Sequence, residues 1–436
     1  NSAMHTPNLD ALVWDGVSFS RCYTNNPVCT PSRCSFMTGC YPQQTGVTVN
    51  GHELPPDFSP TAPRQFGAAG YRTVQIGKLH FQAHEDHDLD PRGRHSYGFD
   101  VFQLSEEPGC YDDAYRRWLA GEYPEMVDSF TVPRPVSPGR RKESREFQVL
   151  DAPWNCSHSG WVARQACRYL GSWGLREEPQ FMHLGFYAPH PPLNPTREMF
   201  EPYRGAQLPK PVRSPEDPRD PNNSDDETLL AYRRHFYAMV TGVDMAIGML
   251  VERLQELGLL RDTLLVFTSD HGDACGDHGC TGKGPSYLEP IMHMPWIVHW
   301  PAGLGSESRT VDGLVEMVDM LPTLLELTGA PVHPAMAGRS YADGLRGDGD
   351  IPTRKDVYAV HRPGHLMLRD QRFKYLRYVR EQGREEKLYD LREDPWEFEN
   401  VAEDRGYAEE LRGLRERAFA RTIEATGSIR PRRLRF

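Results

Sequence analysis

Apolar and polar positions alternate in a few short stretches of this chain and recur at three- and four-residue intervals in others. Val17-Ser18-Phe19-Ser20-Arg21-Cys22-Tyr23 alternates with the period of two that marks a strand. Arg72 to Gly77 (RTVQIG), Phe181 to Tyr187 (FMHLGFY) and Asp262 to Thr268 (DTLLVFT) are three more strand candidates. The last is rich in branched apolar residues, as a buried central strand is. Helical spacings lie between them. Gly160 to Trp173 sets Trp161, Ala163, Cys167, Leu170 and Trp173 on one face, which reads as core. Leu229 to Leu257 is a long helical pattern ending at Gly258, and Val318 to Leu327 a shorter one stopped by Gly329. Strands alternating with helices predict an α/β fold with a central, mostly parallel sheet flanked by helices.

The pattern breaks in three places. Asp100 to Asp151 and Asn194 to Asp225 are polar and rich in Pro, Arg or Asp, and read as loops or insertions. Beyond about Gly329 the texture changes. His365 to Val379 alternates around an Asp-Gln turn as an antiparallel hairpin does, and Tyr407 to Ala425 is a charged amphipathic helix. The expected organisation is a catalytic domain over residues 1–335 and a small C-terminal α+β subdomain with an antiparallel sheet over 336–436. No internal repeat is visible.

Composition narrows the picture. The 436 residues exceed a single small module, and 38% hydrophobic with 10% aromatic content excludes a disordered chain. The 38 Gly and 37 Pro exceed average usage of about 7% and about 5%, and predict long ordered loops. A net charge of −11 argues against nucleic-acid binding while leaving room for a locally positive pocket. No stretch approaches the roughly 18 apolar residues of a membrane span. The nine cysteines have no zinc-type spacing and read as free thiols. Free thiols lean the compartment towards the cytoplasm, with the periplasm or secretion as alternatives.

Sites in open α/β sheets form at the carboxyl ends of strands, so the residues just past each predicted strand are the place to look. Tyr23 is followed by Asn25-Asn26-Pro27-Val28-Cys29-Thr30-Pro31-Ser32-Arg33, and Gly77 by Lys78-Leu79-His80. Tyr187 leads to Pro189-His190-Pro191, and Thr268 to Asp270-His271-Gly272-Asp273 and then Lys283. Asp270 and His271 can ligate a divalent cation. Arg33, Lys78 and Lys283 supply positive charge for a tetrahedral oxyanion. Lys78 and His80, two apart, share a face if the backbone there is extended. His80 and His190 can move protons near neutral pH. The ensemble suits metal-assisted hydrolysis of a sulfate or phosphate ester.

Cys29-Thr30-Pro31-Ser32-Arg33 resembles the Cys-x-Pro-Ser-Arg signature of the sulfatase family. The resemblance runs in family order through Thr6-Pro7-Asn8-Leu9-Asp10, Thr38-Gly39-Cys40-Tyr41-Pro42, Gly70-Tyr71-Arg72-Thr73, Gly77-Lys78-Leu79-His80, Pro189-His190-Pro191-Pro192 and Ser269-Asp270-His271-Gly272-Asp273. It ends at Leu388-Tyr389-Asp390-Leu391 and Asp394-Pro395. It implies the alkaline-phosphatase-like α/β fold with a small C-terminal subdomain. It also implies that a formylglycine-generating enzyme oxidises Cys29 to formylglycine, whose hydrated aldehyde carries two hydroxyls. One attacks sulfur; loss of a proton from the other then releases sulfate. By the same resemblance Arg33 holds these hydroxyls, Lys78 and His80 lie beside them, and His80 is the base. His190 and Lys283 bind sulfate oxygens, and either protonates the leaving oxygen. Asp270, His271 and the modified Cys29 hold the metal, and Asn50 contacts the substrate oxyanion.

The chain also departs from the family pattern. Asp-His at 270–271, where many members have Asp-Asn, is shared with choline sulfatase-like and phosphonate monoesterase-like members. It leaves calcium, ahead of manganese, as the expected metal. Cys34 and Cys40 stand where Ala and Arg are usual. The family's first strand and its acidic pair are expected to lie before residue 1. The leading expectation is a sulfuric ester hydrolase acting on a small anionic sulfate ester. A phosphonate monoester or phosphodiester hydrolase using the same site and a non-catalytic binding protein of the same fold are the alternatives, and a homo-oligomer stays open. His278 reads as structural support; His5, His52, His84, His87, His293 and His299 carry no role. Arg412, Arg415 and Arg417 read as a solvated helix face.

Overall fold

The computed structural model describes residues 3–82, 95–107, 112–131, 147–173, 178–214, 225–283, 287–381 and 383–427. The alternating stretches become strands β1 (Val17–Tyr23), β2 (Arg72–Gly77), β4 (Gln180–Gly185) and β5 (Leu265–Thr268). In the first part of the chain three more strands were not read from the sequence: β3 (Val101–Leu104), β6 (His293–His299) and β7 (Arg309–Glu316). β3-β2-β4 form a wholly parallel sheet. β5-β6-β1-β7 form a second, in which β1 and β7 are parallel and β6 runs against both β1 and β5. Within that sheet β5, β1 and β7 therefore point the same way.

Two expectations are corrected here. β5 is the end strand of its sheet among the described residues, and Val266 and Phe267 are half-buried along a cleft rather than sealed in a core. The segment from Asp100 is not all loop, because β3 pairs with β2 and a helix at Ala114–Glu122 follows it. Four residues are too short for periodicity to register.

Helix α1 (Pro7–Trp14) starts where the Asp244 carboxylate accepts the backbone N–H groups of Asn8 and Leu9, at 3.3 and 2.8 Å. That is the physical reason for Thr-Pro-Asn-Leu: an outside carboxylate satisfies helix-start donors that have no partner within the helix. Asp244 lies on α4 (Asp226–Glu256), which, like α3 (His158–Trp173), falls where a helix was expected; Trp161, Ala163 and Leu170 of the α3 stripe are buried, and the Trp173 side chain lies outside what the structure describes. Trp161, Val162, Ile247 and Leu250 pack with Val74 and Ile76 of β2 into one core. α4 ends as the Gly258 signal implies: Gly258 has φ +69° and Leu259 N–H donates to Leu254 O at 2.8 Å. No helix among the described residues is long and apolar enough to cross a membrane.

The C-terminal sheet is antiparallel in the order β11-β10-β9-β8, with β8 (Asp356–Val360), β9 (Leu366–Asp370), β10 (Phe373–Arg380) and β11 (Gly383–Asp390). β9 and β10 are the predicted hairpin. The last helix, α6 (Ala408–Thr426), covers this sheet; α5 (Met320–Leu327) belongs to the first part. Arg415 and Arg417 are not a free solvated face: they pair with Glu386 and with Asp356 and Asp370 of the sheet. Arg421 of α6 reaches further, donating to Tyr41 Oη at 2.7 Å and to Glu316 at the end of β7. Asn25 Nδ2 donates to Tyr358 O at 3.0 Å in the same region.

Candidate active site

Four chain segments, each delivered by a strand end, converge on one cleft. Past β1 the chain turns into helix α2 (Cys29–Thr38), which is largely buried. Cys29 occupies its first turn at 2% exposure. The Thr30 N–H, a helix-start donor with no helical partner, is taken by Asn50 Oδ1 at 3.0 Å. Pro31 fits the first turn, where a missing N–H costs nothing. Ser32 Oγ donates to Asp270 O and lies 2.9 Å from Thr24 Oγ1. Arg33 Nε donates to Asp270 Oδ2 at 2.8 Å. The signature thus places a thiol at a helix start and uses the next turn to clamp Asp270 by backbone and side chain.

β2 and β4 deliver the second group. Lys78 N–H donates to Gly185 O at 2.7 Å, and a Cβ at Gly185 would fall 1.8 Å from Lys78 O. Only glycine allows the two strand ends so close. Lys78 is buried, with its ammonium 5.1 Å from the Tyr187 ring centroid. The extended geometry expected between Lys78 and His80 is not found. β2 ends at Gly77, and His80 has φ +59°, so the spacing argument for a shared face fails. His80 still lines the cleft, its backbone N–H held by Glu106 Oε1 at 2.7 Å.

His190 follows β4. Its Nδ1 lies 2.9 Å from Tyr187 Oη and 2.8 Å from Pro191 O, while the Tyr187 hydroxyl itself donates to Pro191 O. The Nδ1 proton is therefore committed, and Nε2 is the remaining nitrogen. Burial, reinforced by Lys78 and Lys283, holds His190 well below its usual pKa and so neutral.

Past β5, Asp270 and His271 meet α2. His271 Nδ1 lies 2.8 Å from Gly272 O and its Nε2 3.1 Å from Cys29 Sγ. The loop then runs to Lys283 and is shaped by Asp273, which accepts from Cys275 N–H at 2.7 Å, Gly282 N–H at 3.1 Å and Tyr232 Oη at 2.8 Å.

The electrostatics follow. Burial alone would raise the Cys29 thiol, but His271, bonded to it, and Lys78 hold it down to about 5. Burial likewise opposes ionisation of Asp270, yet Arg33, His271, Lys78 and Lys283 keep it well below the usual carboxylate range. Burial lowers Lys78, and Arg33 pushes the same way. Cys29, Arg33, Asn50, Lys78, His80, His190, Asp270, His271 and Lys283 all line the one cleft. The sequence had given no role to Glu106, Asp273 or Tyr187. Glu106 sits just past β3, where the strand-end rule finds it once β3 is known.

Cys29, Asp270 and His271 place one ligand atom each within 4.8 Å of one another. The donor set, a thiol sulfur with a carboxylate oxygen and an imidazole nitrogen, fits a divalent cation. The Gly272 carbonyl at Nδ1 leaves His271 Nε2 to ligate.

The chain is similar to known proteins along most of its length. The sulfatase family model matches residues 1–330, and the model of the N-sulphoglucosamine sulphohydrolase C-terminal region matches 276–423. An arylsulfatase of Clostridium perfringens is 26% identical, over 95% of this chain and 89% of its own. A multifunctional alkaline phosphatase superfamily protein of Trinickia caryophylli is 25% identical, over 96% and 89%. The crystal structure of the phosphonate monoester hydrolase of Agrobacterium radiobacter superposes with a TM-score of 0.83 at 24% identity, covering 97% of this chain and 92% of that one. That likeness establishes the fold. The chain belongs to the sulfatase family, within the alkaline phosphatase superfamily, and is an enzyme of the sulfate-ester-hydrolysing kind.

Proposed function

We propose that this enzyme hydrolyses a small anionic sulfate monoester, with formylglycine formed at Cys29 as nucleophile and a divalent cation held by Asp270, His271 and the modified residue 29. The observation that carries the reading is the buried Cys29 Sγ, 3.1 Å from His271 Nε2, in a cleft lined by Arg33, Lys78, His190 and Lys283.

The hydrated aldehyde supplies a nucleophilic hydroxyl and a second one through which sulfate is released. The cation, calcium or manganese, supplies Lewis acidity at the attacking oxygen. Arg33 keeps Asp270 ionised and oriented. Lys78 and Lys283 neutralise the sulfate oxygens, and Asn50, which bonds the Thr30 N–H, adds a polar contact beside them. An anion bound between the two lysines offsets the repulsion that they add to the effect of burial on His190, and so favours a proton on Nε2 for the leaving oxygen. His80, fixed through Glu106, takes the proton from the second hydroxyl. Cys29 is 2% exposed in the folded chain, so a formylglycine-generating enzyme must act on it before folding closes α2.

Intact-mass measurement tests the modification: formylglycine lowers the mass by about 18 Da from the cysteine form. Release of sulfate from an aryl sulfate tests the reaction. A second reading, phosphonate monoester or phosphodiester hydrolysis at the same site, has the support of a structural neighbour named a phosphonate monoester hydrolase and fits less well than the first. Strong phosphonate turnover without sulfate release would establish it in place of the first.

A further inference from the structure

Lys283 comes to the cleft at the end of a loop held in an unfavourable backbone shape. Between Gly272 and Lys283 two residues with side chains, Cys275 at φ +52° and His278 at φ +56°, lie in the left-handed region, along with Gly276, Gly279 and Gly282. Such a shape persists only where its surroundings over-determine it. Much of that hold comes from one helix. Tyr232 and Arg233, consecutive residues of α4, bind the loop at two points. Arg233 takes its middle: Nε donates to Cys275 O at 2.8 Å and Nη2 to Asp277 Oδ1 at 2.6 Å. Tyr232 takes the part that carries Lys283. Its hydroxyl donates to Asp273 Oδ2 at 2.8 Å, and Asp273 Oδ1 accepts the N–H of Gly282, the residue before Lys283, at 3.1 Å. Gly282 O in turn accepts the Ala274 N–H at 2.9 Å.

Asp273 makes poor sense as a binding group. It lines a cleft that collects cations, and its own charge would repel an anion bound there. It also stands outside the ligand set of Cys29, Asp270 and His271. What it does is accept hydrogen bonds from the Cys275 and Gly282 N–H groups and from the Tyr232 hydroxyl. The carboxylate is thus a peg between α4 and the backbone that precedes Lys283. The charge of Lys283 bears on Asp270, His271 and His190 alike, so a displaced Gly282 would be felt by the groups around Cys29.

We propose that Tyr232 is a positioning residue for the reaction: through Asp273 it fixes the backbone at Gly282 and so holds the Lys283 ammonium in place for the anion. The proposal rests on the sulfate-ester reading given above, in which Lys283 neutralises sulfate oxygens. The ring of Tyr232 is buried and packs without its hydroxyl; the hydroxyl is the part that acts on the site.

The test is a double-mutant cycle of Tyr232→Phe and Lys283→Ala on an aryl sulfate. Tyr232→Phe removes the hydroxyl alone. It is expected to raise KM about tenfold with kcat within about threefold of the parent, because a misplaced cation weakens binding of ground and transition state together. Inhibition by inorganic sulfate is expected to weaken by the same factor. In the Lys283→Ala background the same change is expected to move KM less than about twofold. Where Lys283→Ala turns over too slowly for a KM, the affinity for inorganic sulfate, read by titration calorimetry, completes the cycle. A KM for Tyr232→Phe within about twofold of the parent, or an equal rise in both backgrounds, overturns the proposal. Hydrogen exchange needs no turnover. Residues 273–283 are expected to exchange faster in Tyr232→Phe while the rest of the protein and the melting temperature stay as in the parent, and equal exchange overturns the proposal. A parent that hydrolyses an aryl phosphonate and releases no sulfate refutes the sulfate-ester reading, and the same cycle read on the phosphonate KM then decides the role of Tyr232.

Discussion

Arg33 Nε donates to Asp270 Oδ2 at 2.8 Å, and neither side chain is more than 12% exposed. The same guanidinium donates through Nη1 to Lys78 O at 3.4 Å, so one side chain spans the ends of two strands. Removing it leaves a buried carboxylate unpaired. Arg33→Ala is expected to lose about 3–5 kcal/mol of stability. Turnover is expected to drop by more than about 100-fold, because Asp270 then shifts. Urea unfolding beside sulfate release checks both; a variant as stable as the parent would show that the pair contributes nothing net.

Cys29→Ala removes the nucleophile and a small buried group. Turnover is expected to vanish while the melting temperature stays within a few degrees, measured by circular dichroism and sulfate release. Activity within about tenfold of the parent would refute covalent catalysis at this residue.

Glu106 holds the His80 backbone, which sits at φ +59° where a side chain is strained. Glu106→Ala strands a buried N–H, at about 1–3 kcal/mol. It is expected to lower kcat about tenfold with little change in KM. Glu106→Gln keeps the acceptor and is expected to restore most of kcat, which a merely electrostatic role for Glu106 would not allow.

Acid stability is set partly by Glu289. Burial opposes its ionisation, but Lys374 at 2.9 Å, together with Arg369, outweighs burial and holds it at about 2, below its ordinary value of 4.5. A depressed carboxylate stabilises the fold above its unfolded pKa, and that contribution is lost as pH falls through the folded one. The stability should therefore decline between about pH 4.5 and about pH 2. Lys374→Met removes the cause and leaves Glu289 and Glu397 facing each other's charge. Thermal melts against pH are expected to show a less stable protein at neutral pH, with a smaller acid loss below pH about 4.5.

Much of this was legible in the chain because strand ends carry chemistry. Four strands read from the sequence led to Arg33, Lys78, His80, His190, Asp270, His271 and Lys283 of the cleft, and Cys29-Thr30-Pro31-Ser32-Arg33 named the helix that starts it. What could not be read has physical reasons. β3 is four residues long, so Glu106 was hidden in an apparent loop. His80 lies at φ +59°, a conformation that nothing in Lys-Leu-His announces. The hold of Asp244 on Asn8 and Leu9 spans more than 200 residues of sequence, beyond any local pattern. Arg415 and Arg417 read as solvated because their partners sit on strands that alternation did not reveal.

Arg421 joins the last helix to Glu316 and Tyr41, and Tyr358 N–H donates to Glu316 Oε1 at 2.7 Å. Glu316 is fully buried, and these C-terminal donors are among the few cations and amides close to it. Without the C-terminal part that carboxylate would lose both Arg421 and the Tyr358 amide. The end of β7 thus relies on groups that come from the last hundred residues to satisfy its charge.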